Sequence, residues 1–311
     1  MAWIKKGFIY KPDSKFSWCF SHAQVPFGFP LNQESIRIYF ATRDILNRSV
    51  ISFIEVDSEN LSNIKYVHNQ PCLKLGELGT HDESGVMPSC FVVNGNDIFL
   101  YYTGWNIGGN VSYRTSIGLA ISTDGGITFK KISDGPILDR SIYDPCFSCQ
   151  PFVLKYEGIW KMWYLSCLKW QIIDNYPEPF YNVKYAESSD GIDWIRKGKI
   201  SLDLDVDIDA IGNPTIIYDN EIYSMYFSHR KATNYRNNPK NSYKIGLAES
   251  KSGIEFVYVD KNVQMKGKIE QWESIMNAYP HVFKHNGKYI MLYNGNGFGQ
   301  SGFGYSILEN E

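Results

Sequence analysis

Four acidic side chains occupy equivalent places in a repeated sequence pattern. Each stands five to seven residues before a proline that opens a short apolar segment, and the four are Asp82, Asp144, Asp209 and Glu273. Carboxylates held close together raise each other's pKa, and such pairs supply the acid and the base that break glycosidic bonds. We expect Asp82, Asp144 and Glu273 to be catalytic and to face a common cavity. The alternative is that these acids cap turns between neighbouring structural units.

The prolines themselves mark a repeat. They fall 62 to 66 residues apart, at Pro26, Pro88, Pro151, Pro214 and Pro280. A polar turn and a second, aromatic strand follow, and most repeats continue with a third and a fourth strand. Four antiparallel strands repeated five times predict an all-β fold, a five-bladed β-propeller. In such a fold the inner strands bring the pre-proline segments to one mouth of a central channel.

The fifth repeat has no room for a fourth strand after residues 303–308. Residues 3–7, Trp-Ile-Lys-Lys-Gly, resemble residues 194–198, Trp-Ile-Arg-Lys-Gly, which open the outer strand of the third repeat. We therefore expect the N-terminal strand to complete the last blade. Closure of this kind removes the exposed strand edges that promote aggregation.

The composition is typical of a globular protein. The 311 residues are 43% hydrophobic and 21% charged, with a formal net charge of −2. Because the repeat fills the sequence, we predict one domain over residues 1–311. There is no basic patch for nucleic acid and no apolar run for a membrane, so we expect a cytoplasmic protein. Six cysteines without disulfide spacing are expected to be free thiols; the pair Cys146 and Cys149 lacks the further ligands of a zinc site.

Three local motifs carry a resemblance to a known family. Ser-Asp-Gly-Ile-Asp-Trp occupies residues 189–194, Ser-Thr-Asp-Gly-Gly occupies residues 122–126, and Asn-Gly-Lys-Tyr occupies residues 286–289. On these motifs the chain resembles the five-bladed propeller superfamily of glycoside hydrolases, which contains the β-fructosidases, arabinanases, β-xylosidases and mannoside phosphorylases. More narrowly, it is similar to members associated with bacterial surface-polysaccharide synthesis. The motifs lie in the scaffold, so they indicate the fold more specifically than the reaction.

The resemblance implies a catalytic set that this chain meets only in part. In the arabinanase-type enzymes, acids from the first three inner strands serve as general base, pKa-tuning partner and general acid. Here the first segment offers His22 and no acid, whereas the next two offer Asp82 and Asp144. Residues 143–146 also lack the Glu-Asp-Pro-Arg sequence expected of mannoside phosphorylases. Standard hydrolysis would therefore need a rearranged acid pair.

Further residues are expected to bind a sugar or oligosaccharide. Trp105 and Trp170 follow second strands, and aromatic faces stack on the apolar side of sugar rings. Arg230 follows another second strand, where its fork could clamp a carboxylate or a phosphate. The expected substrate-binding residues are His22, His81, Trp105, Trp170, Asp209, Arg230 and Asn277. Packing within the blades is the alternative role of the two tryptophans.

An alternating run of aspartates precedes the fourth inner strand. Asp203, Asp205 and Asp207 would share one face of a continuous strand, where repulsion is unfavourable unless a cation intervenes. Their oxygens could bind calcium, although the spacing is not that of a known calcium loop. A solvated crossover is the preferred interpretation, and no other metal or cofactor is expected.

Two functions of different classes fit these residues. The first, which the sequence favours, is a glycoside hydrolase-like enzyme that acts on a glycosidic bond with paired carboxylates in the central funnel. The second is a non-catalytic propeller that binds a glycan or a protein partner at the same mouth. Acyl transfer is not expected, because the sequence has no serine or cysteine nucleophile motif. The sugar and the oligomeric state stay open.

Overall fold

A computed structural model describes residues 1–310, and its regular structure is almost entirely β-strand. In chain order the strands are β1 (Ala2–Tyr10), β2 (Ser21–Asn32), β3 (Ser35–Arg43), β4 (Ser49–Asp57), β5 (Ile64–Val67), β6 (Gly85–Asn94), β7 (Asp97–Ile107), β8 (Tyr113–Ser122), β9 (Lys130–Lys131), β10 (Phe147–Tyr156), β11 (Ile159–Ile173), β12 (Tyr176–Ser188), β13 (Ile195–Leu202), β14 (Ala210–Asp219), β15 (Ile222–Arg230), β16 (Lys244–Ser250), β17 (Val257–Asp260), β18 (Met265–Lys266), β19 (Ala278–His285), β20 (Lys288–Asn294) and β21 (Phe303–Glu309). A 3-10 turn (Gln271–Glu273) precedes β19, and a single helical turn, α1 (Asn296–Gly299), follows β20.

The strands form five antiparallel meanders. Four of them are β2 to β5, β6 to β9, β10 to β13 and β14 to β17, and the fifth is β19 to β21. Strand β1 completes the fifth meander by pairing antiparallel with β21, with Trp3 opposite Leu308. The chain is thus an all-β, five-bladed propeller closed by its N-terminal strand, as the sequence predicts. No helix in residues 1–310 has the length and apolar character needed to span a membrane.

Each inner strand carries an irregularity at its proline. The pairing register shifts beside all five prolines, in β2, β6, β10, β14 and β19. The residue before the proline has a positive φ in four of them, namely Val25, Gln150, Asn213 and Tyr279. Proline cannot donate to a strand ladder, so it is accommodated at a bulge, and a bulge redirects the neighbouring side chains. The sequence repeat therefore recurs as a repeated bulge.

A glycine-containing turn before the outer strand binds each of the second, third and fourth blades to the blade before it. An aromatic side chain of one second strand donates to the carbonyl of a turn glycine about 90 residues further on, at 2.7 to 2.8 Å. The three pairs are Tyr39 with Gly126, Tyr101 with Gly191 and Trp163 with Gly253. Gly191 has φ +81°, and a Cβ there would lie 2.6 Å from the Tyr101 hydroxyl. The turn motif therefore acts in packing between blades.

Candidate functional site

The inner strands converge on a cavity of about 400 Å³, here called the central cavity. Four side chains that directly precede or adjoin the bulged prolines line it: Gln24, Met87, Gln150 and Tyr279. A largely aromatic wall adds Trp105, Tyr113, Tyr176, Tyr181, Tyr243 and Phe298. Four of the five pre-proline segments thus reach the channel mouth, in line with the propeller prediction.

Arg43 is the cation of this cavity that lacks a carboxylate partner. It lies half-buried at the end of β3, where Nε donates to Gln24 Oε1 (3.1 Å) and Nη1 donates to Asn47 Oδ1 (2.7 Å). Among residues 1–310 no carboxylate pairs with it, since the neighbouring Asp44 pairs with Arg48 at 2.8 Å. Burial lowers the pKa of Arg43, an expression of the cost of burying this charge.

A second arginine at the rim is neutralised. Arg236 lines the central cavity and forms an ion pair with Glu178, a buried residue of β12. Its guanidinium lies over the ring of Tyr235, 4.4 Å from the centroid. The cavity lining therefore contains two arginines and, among the described residues, no aspartate or glutamate.

A hydroxyl–hydroxyl contact lies within the aromatic wall. The hydroxyls of Tyr181 and Tyr243 lie 2.5 Å apart, and burial raises the pKa of Tyr181 well above its usual value. Arg230 lies behind this wall, 2% exposed, with its guanidinium 3.9 Å from the Tyr235 ring centroid. Arg230, which the sequence predicts to bind a sugar, instead packs behind the aromatic wall, because tyrosine rings separate it from the cavity.

The three predicted catalytic carboxylates lie elsewhere. Asp82, Asp144 and Glu273 are 1%, 0% and 4% exposed, and none is among the residues that line the central cavity. Each accepts a hydrogen bond from a second-strand tyrosine and forms an ion pair with a lysine or arginine on the outer strand of its own blade. The sets are Asp82 with Tyr102 (3.0 Å) and Lys131 (2.5 Å), Asp144 with Tyr164 (3.2 Å) and Arg196 (2.9 Å), and Glu273 with Tyr293 (2.9 Å) and Lys5 (2.9 Å). The structure does not bring the three acids together.

A sequence signal distinguishes the blades that contain these clusters. The position of the second-strand tyrosine is phenylalanine in the first and fourth blades, as Phe40 and Phe227. The first blade has no acid to pair there, and in the fourth Asp209 accepts from the backbone N–H of Ala232 (2.8 Å) instead. A tyrosine at this position therefore accompanies a buried acid in the same blade. The correlation can be seen in the sequence once the hydrogen bond between tyrosine and carboxylate is known.

Of the seven predicted sugar-binding residues, Trp105 alone lines the central cavity within the described part of the chain. Its Nε1 donates to Ser49 Oγ at 2.7 Å. Trp170 packs edge-on against Tyr113, behind the lining, with ring centroids 5.3 Å apart. Asn277 donates to Glu273 Oε2 (3.3 Å), so it belongs to a buried acid cluster. His22 bonds to Ser21 Oγ, and burial, with the nearby Arg43 charge, lowers its pKa to about 4.

The aspartate run does not assemble a cation site. Asp203 accepts from Asn182 Nδ2 (2.9 Å), Asp205 pairs with Lys261, and Asp207 lies 3.4 Å from Lys231. In residues 1–310 no group of three or more histidine, cysteine, aspartate or glutamate side chains is placed to hold a metal ion. The aspartates do not alternate along one strand face, because this run is a crossover with a bridge between Asp205 and Ile208 and not a continuous strand.

Full-length relatives establish the family of the chain. It is 34% identical over 312 residues to two uncharacterised proteins from two strains of Mycobacterium tuberculosis, MT1551 and Rv1502, and the match covers 100% of each chain. The chain belongs to their family. No family model matches this sequence.

Solved structures show the same fold at low sequence identity. A putative glycosidase from Bacteroides thetaiotaomicron has a TM-score of 0.72 and 15% identity over 98% of this chain and 96% of its own. A thermostable family-43 glycoside hydrolase has a TM-score of 0.66 and 16% identity over 96% and 93% of the two chains. The propeller of this chain is therefore glycoside hydrolase-like in fold, and at such identity the likeness extends to the fold alone.

Proposed function

We propose that this protein binds an acidic sugar, alone or within an oligosaccharide, in its central cavity. The charge of Arg43 carries the proposal: it lines the cavity without an ion-pair partner, and no carboxylate of residues 1–310 lines the cavity. A half-buried guanidinium without an anionic partner has lost hydration that amide oxygens replace only in part. An incoming carboxylate or phosphate would restore that loss through charge-assisted hydrogen bonds.

The rest of the lining suits a sugar ring. The aromatic wall offers faces for stacking, and Gln24, Asn47 and the tyrosine hydroxyls offer donors and acceptors for ring hydroxyls. A volume of about 400 Å³ lies within the range of small-molecule sites. Apolar walls with a few placed polar groups are the usual composition of such sites.

Binding is a better fit to this cavity than cleavage. Breaking a glycosidic bond takes two carboxylates on either side of it, separated by about 5 to 10 Å. Asp82, Asp144 and Glu273, which the sequence favours for this task, are each engaged by a base and a tyrosine. Their catalytic assignment stays a prediction, and the binding function does not require it.

Calorimetry with D-glucuronate and D-galacturonate, against D-glucose and D-galactose, tests the proposal. We expect the uronates to bind and the neutral sugars to bind at least tenfold more weakly. Arg43→Gln should weaken uronate binding about 10- to 100-fold, because it removes a charged hydrogen bond of about 1.5–3 kcal/mol. Arg48→Gln is the matched control, since Arg48 lies on the same hairpin and pairs with Asp44 outside the lining.

Two outcomes would overturn the proposal. Equal affinity for uronates and neutral sugars would remove the role of the charge, and unchanged uronate binding in Arg43→Gln would remove the role of this residue. Release of nitrophenol from 4-nitrophenyl glucuronide, abolished by Asp144→Asn in a folded variant, would establish cleavage instead.

A further inference from the structure

A second cavity, of about 510 Å³, adjoins the central cavity, and Thr115 lines both. It lies between the second and third blades, and its lining includes Thr80, His81, Arg114, Ser116 and Arg140. The proposed binding of an acidic sugar in the central cavity uses none of these residues. His81 lies in the loop before β6 and Ser116 lies in β8, so no local sequence motif indicates their contact. The expectation from sequence that acyl transfer is absent rested on the lack of such a motif, and the contact between these two residues revises it.

The side chains of Ser116 and His81 are directly hydrogen-bonded. Ser116 Oγ lies 2.7 Å from His81 Nδ1, and His81 Nε2 lies 3.4 Å from the hydroxyl of Tyr102. That hydroxyl donates to Asp82 Oδ2 at 3.0 Å, and His81 Nε2 lies 3.8 Å from the same oxygen. Because Tyr102 gives its proton to the carboxylate, the network assigns a proton to Nε2 and leaves Nδ1 to accept from Ser116.

Two further observations bear on the contact between Ser116 and His81, namely the space around the imidazole and its protonation state. The residue opposite Ser116 on β7 is Gly104, and a Cβ there would lie 2.6 Å from His81 Nδ1. Glycine therefore leaves the space that the imidazole occupies. Burial also lowers the pKa of His81 and is the largest influence on it. The Lys131 charge lowers this pKa further, whereas Asp82 and Asp139 raise it, and the net lowering leaves the ring a neutral base at pH 7.

We propose that Ser116, with His81 as its general base, is the nucleophile of an acyl-transfer site that hydrolyses esters of short carboxylic acids. Ser116 Oγ would attack the ester carbonyl carbon while its proton passes to His81 Nδ1. The ester C–O bond then breaks, and His81 returns the proton to the departing alcohol oxygen. Water, deprotonated by His81, releases the acid from the acyl-serine and restores Ser116.

Arg114 is the residue that we assign to stabilise the negative oxygen of this reaction. It stands two residues before Ser116 on β8, hence on the same face of the strand, and it lines the same cavity. No carboxylate of residues 1–310 forms an ion pair with it within 4.0 Å. In the proposed reaction the Arg114 guanidinium would turn toward the ester and supply the donors that an oxyanion requires. Asp82 acts through Tyr102 and the imidazole, as a positioning residue.

The alcohol part of the ester follows from the neighbouring cavity. A sugar held in the central cavity could present an acylated hydroxyl past Thr115 to Ser116, so an O-acetyl sugar is the expected substrate class. This choice of alcohol rests on the proposed sugar binding, whereas the acyl-transfer chemistry does not. A simple aryl acetate can therefore test the site alone.

The experiment treats the intact protein with a fluorophosphonate probe and locates the adduct by peptide mass spectrometry. Hydrolysis of 4-nitrophenyl acetate is measured in parallel. We expect the adduct on Ser116, loss of adduct and of hydrolysis in Ser116→Ala, and at least a 100-fold slower rate in His81→Gln. Ser133→Ala is the matched control, because Ser133 is exposed beside the same cavity and caps a turn.

An unlabelled wild-type protein, an adduct confined to other residues, or hydrolysis that survives in Ser116→Ala would each overturn the inference. The wild-type adduct is decisive even where a variant fails to fold. Gly104→Ala gives a second variant that keeps both reacting side chains, and it should lose labelling because its Cβ, 2.6 Å from the present position of His81 Nδ1, displaces the imidazole from Ser116. Uronate binding should persist in Ser116→Ala, which separates failure of this inference from failure of the proposed function.

Discussion

The three buried carboxylates are best understood one residue at a time. Asp144 receives hydrogen bonds from Ser141, Tyr164 and Ser166 and an ion pair from Arg196, while Lys184 lies 3.5 Å away. A carboxylate with this many donors is an anchor for the loop that enters β10. Removal of one partner from a buried ion pair leaves the other charge uncompensated, which costs about 3–5 kcal/mol.

Asp144→Asn should therefore lower the free energy of unfolding by about 3 kcal/mol, a figure at the low end because Arg196 is 20% exposed. Urea titration of the variant and the wild type measures the loss. Asp193→Asn, at an exposed position of the next turn, should stay within about 0.5 kcal/mol of wild type. Unchanged stability in Asp144→Asn would show that this acid is not held for structure, and the catalytic assignment would then gain ground.

At the scale of the strand, a buried histidine joins the inner strand of the last blade to that of the first. His281 of β19 accepts at Nδ1 from the backbone N–H of Gly28 in β2 (2.9 Å) and stacks on Phe27 with centroids 3.7 Å apart. Burial lowers the pKa of His281 from 6.5 to about 3. The contact between the last blade and the first thus depends on a neutral imidazole.

The linkage predicts lower stability in acid. The unfolded chain takes up this proton near pH 6.5 and the folded chain only near pH 3, so the stabilisation is complete above 6.5 and declines between these values. The decline is about 1.4 kcal/mol per pH unit. Urea titrations at about pH 7 and about pH 5 should show it in wild type, and His281→Asn, which keeps an acceptor, should lose less between the two. Parallel losses in both proteins would exclude His281 as the source.

Strand order could be predicted from sequence because it depends on local chemistry. The prolines, the Asn-Gly and Asp-Gly turns and the aromatic second strands each act within a few residues, and the structure follows them to the closing strand β1. The acids of the site could not be placed in this way. Asp144 meets Arg196 across 52 residues and Glu273 meets Lys5 from the other end of the chain, so no local pattern records these pairs.

The same limit applies to the residues that the structure adds. Arg43 and Asp44 are adjacent and oppositely charged in the sequence, and only the fold shows that Asp44 pairs with Arg48 instead. Ser116 and His81 are 35 residues apart, and their bond depends on the space left by Gly104. The periodicity places each residue along its strand, whereas the depth of the side chain and the identity of its partner arise from packing between strands.

For the whole molecule, the decisive contact is the one that joins its two ends. Trp3 of β1 is 4% exposed and packs edge-on against Tyr226 of the fourth blade, with centroids 5.7 Å apart. Lys5, two residues on, pairs with Glu273 of the fifth blade. The N-terminal strand therefore ties the last two blades together as well as covering the edge of β21.

If the five blades form one domain, damage at this seam should weaken the entire ring. Trp3→Ala should lower the free energy of unfolding by about 3–5 kcal/mol, the usual cost of emptying a buried tryptophan site, while Lys6→Ala should cost less than about 1 kcal/mol because its ion pair is partly exposed. Far-ultraviolet circular dichroism and tryptophan fluorescence should report one coincident transition in each protein, shifted as a whole in Trp3→Ala. Two separate transitions, or a shift confined to one probe, would contradict the prediction of a single domain over residues 1–311, because blades that unfold independently would not share the loss at the seam.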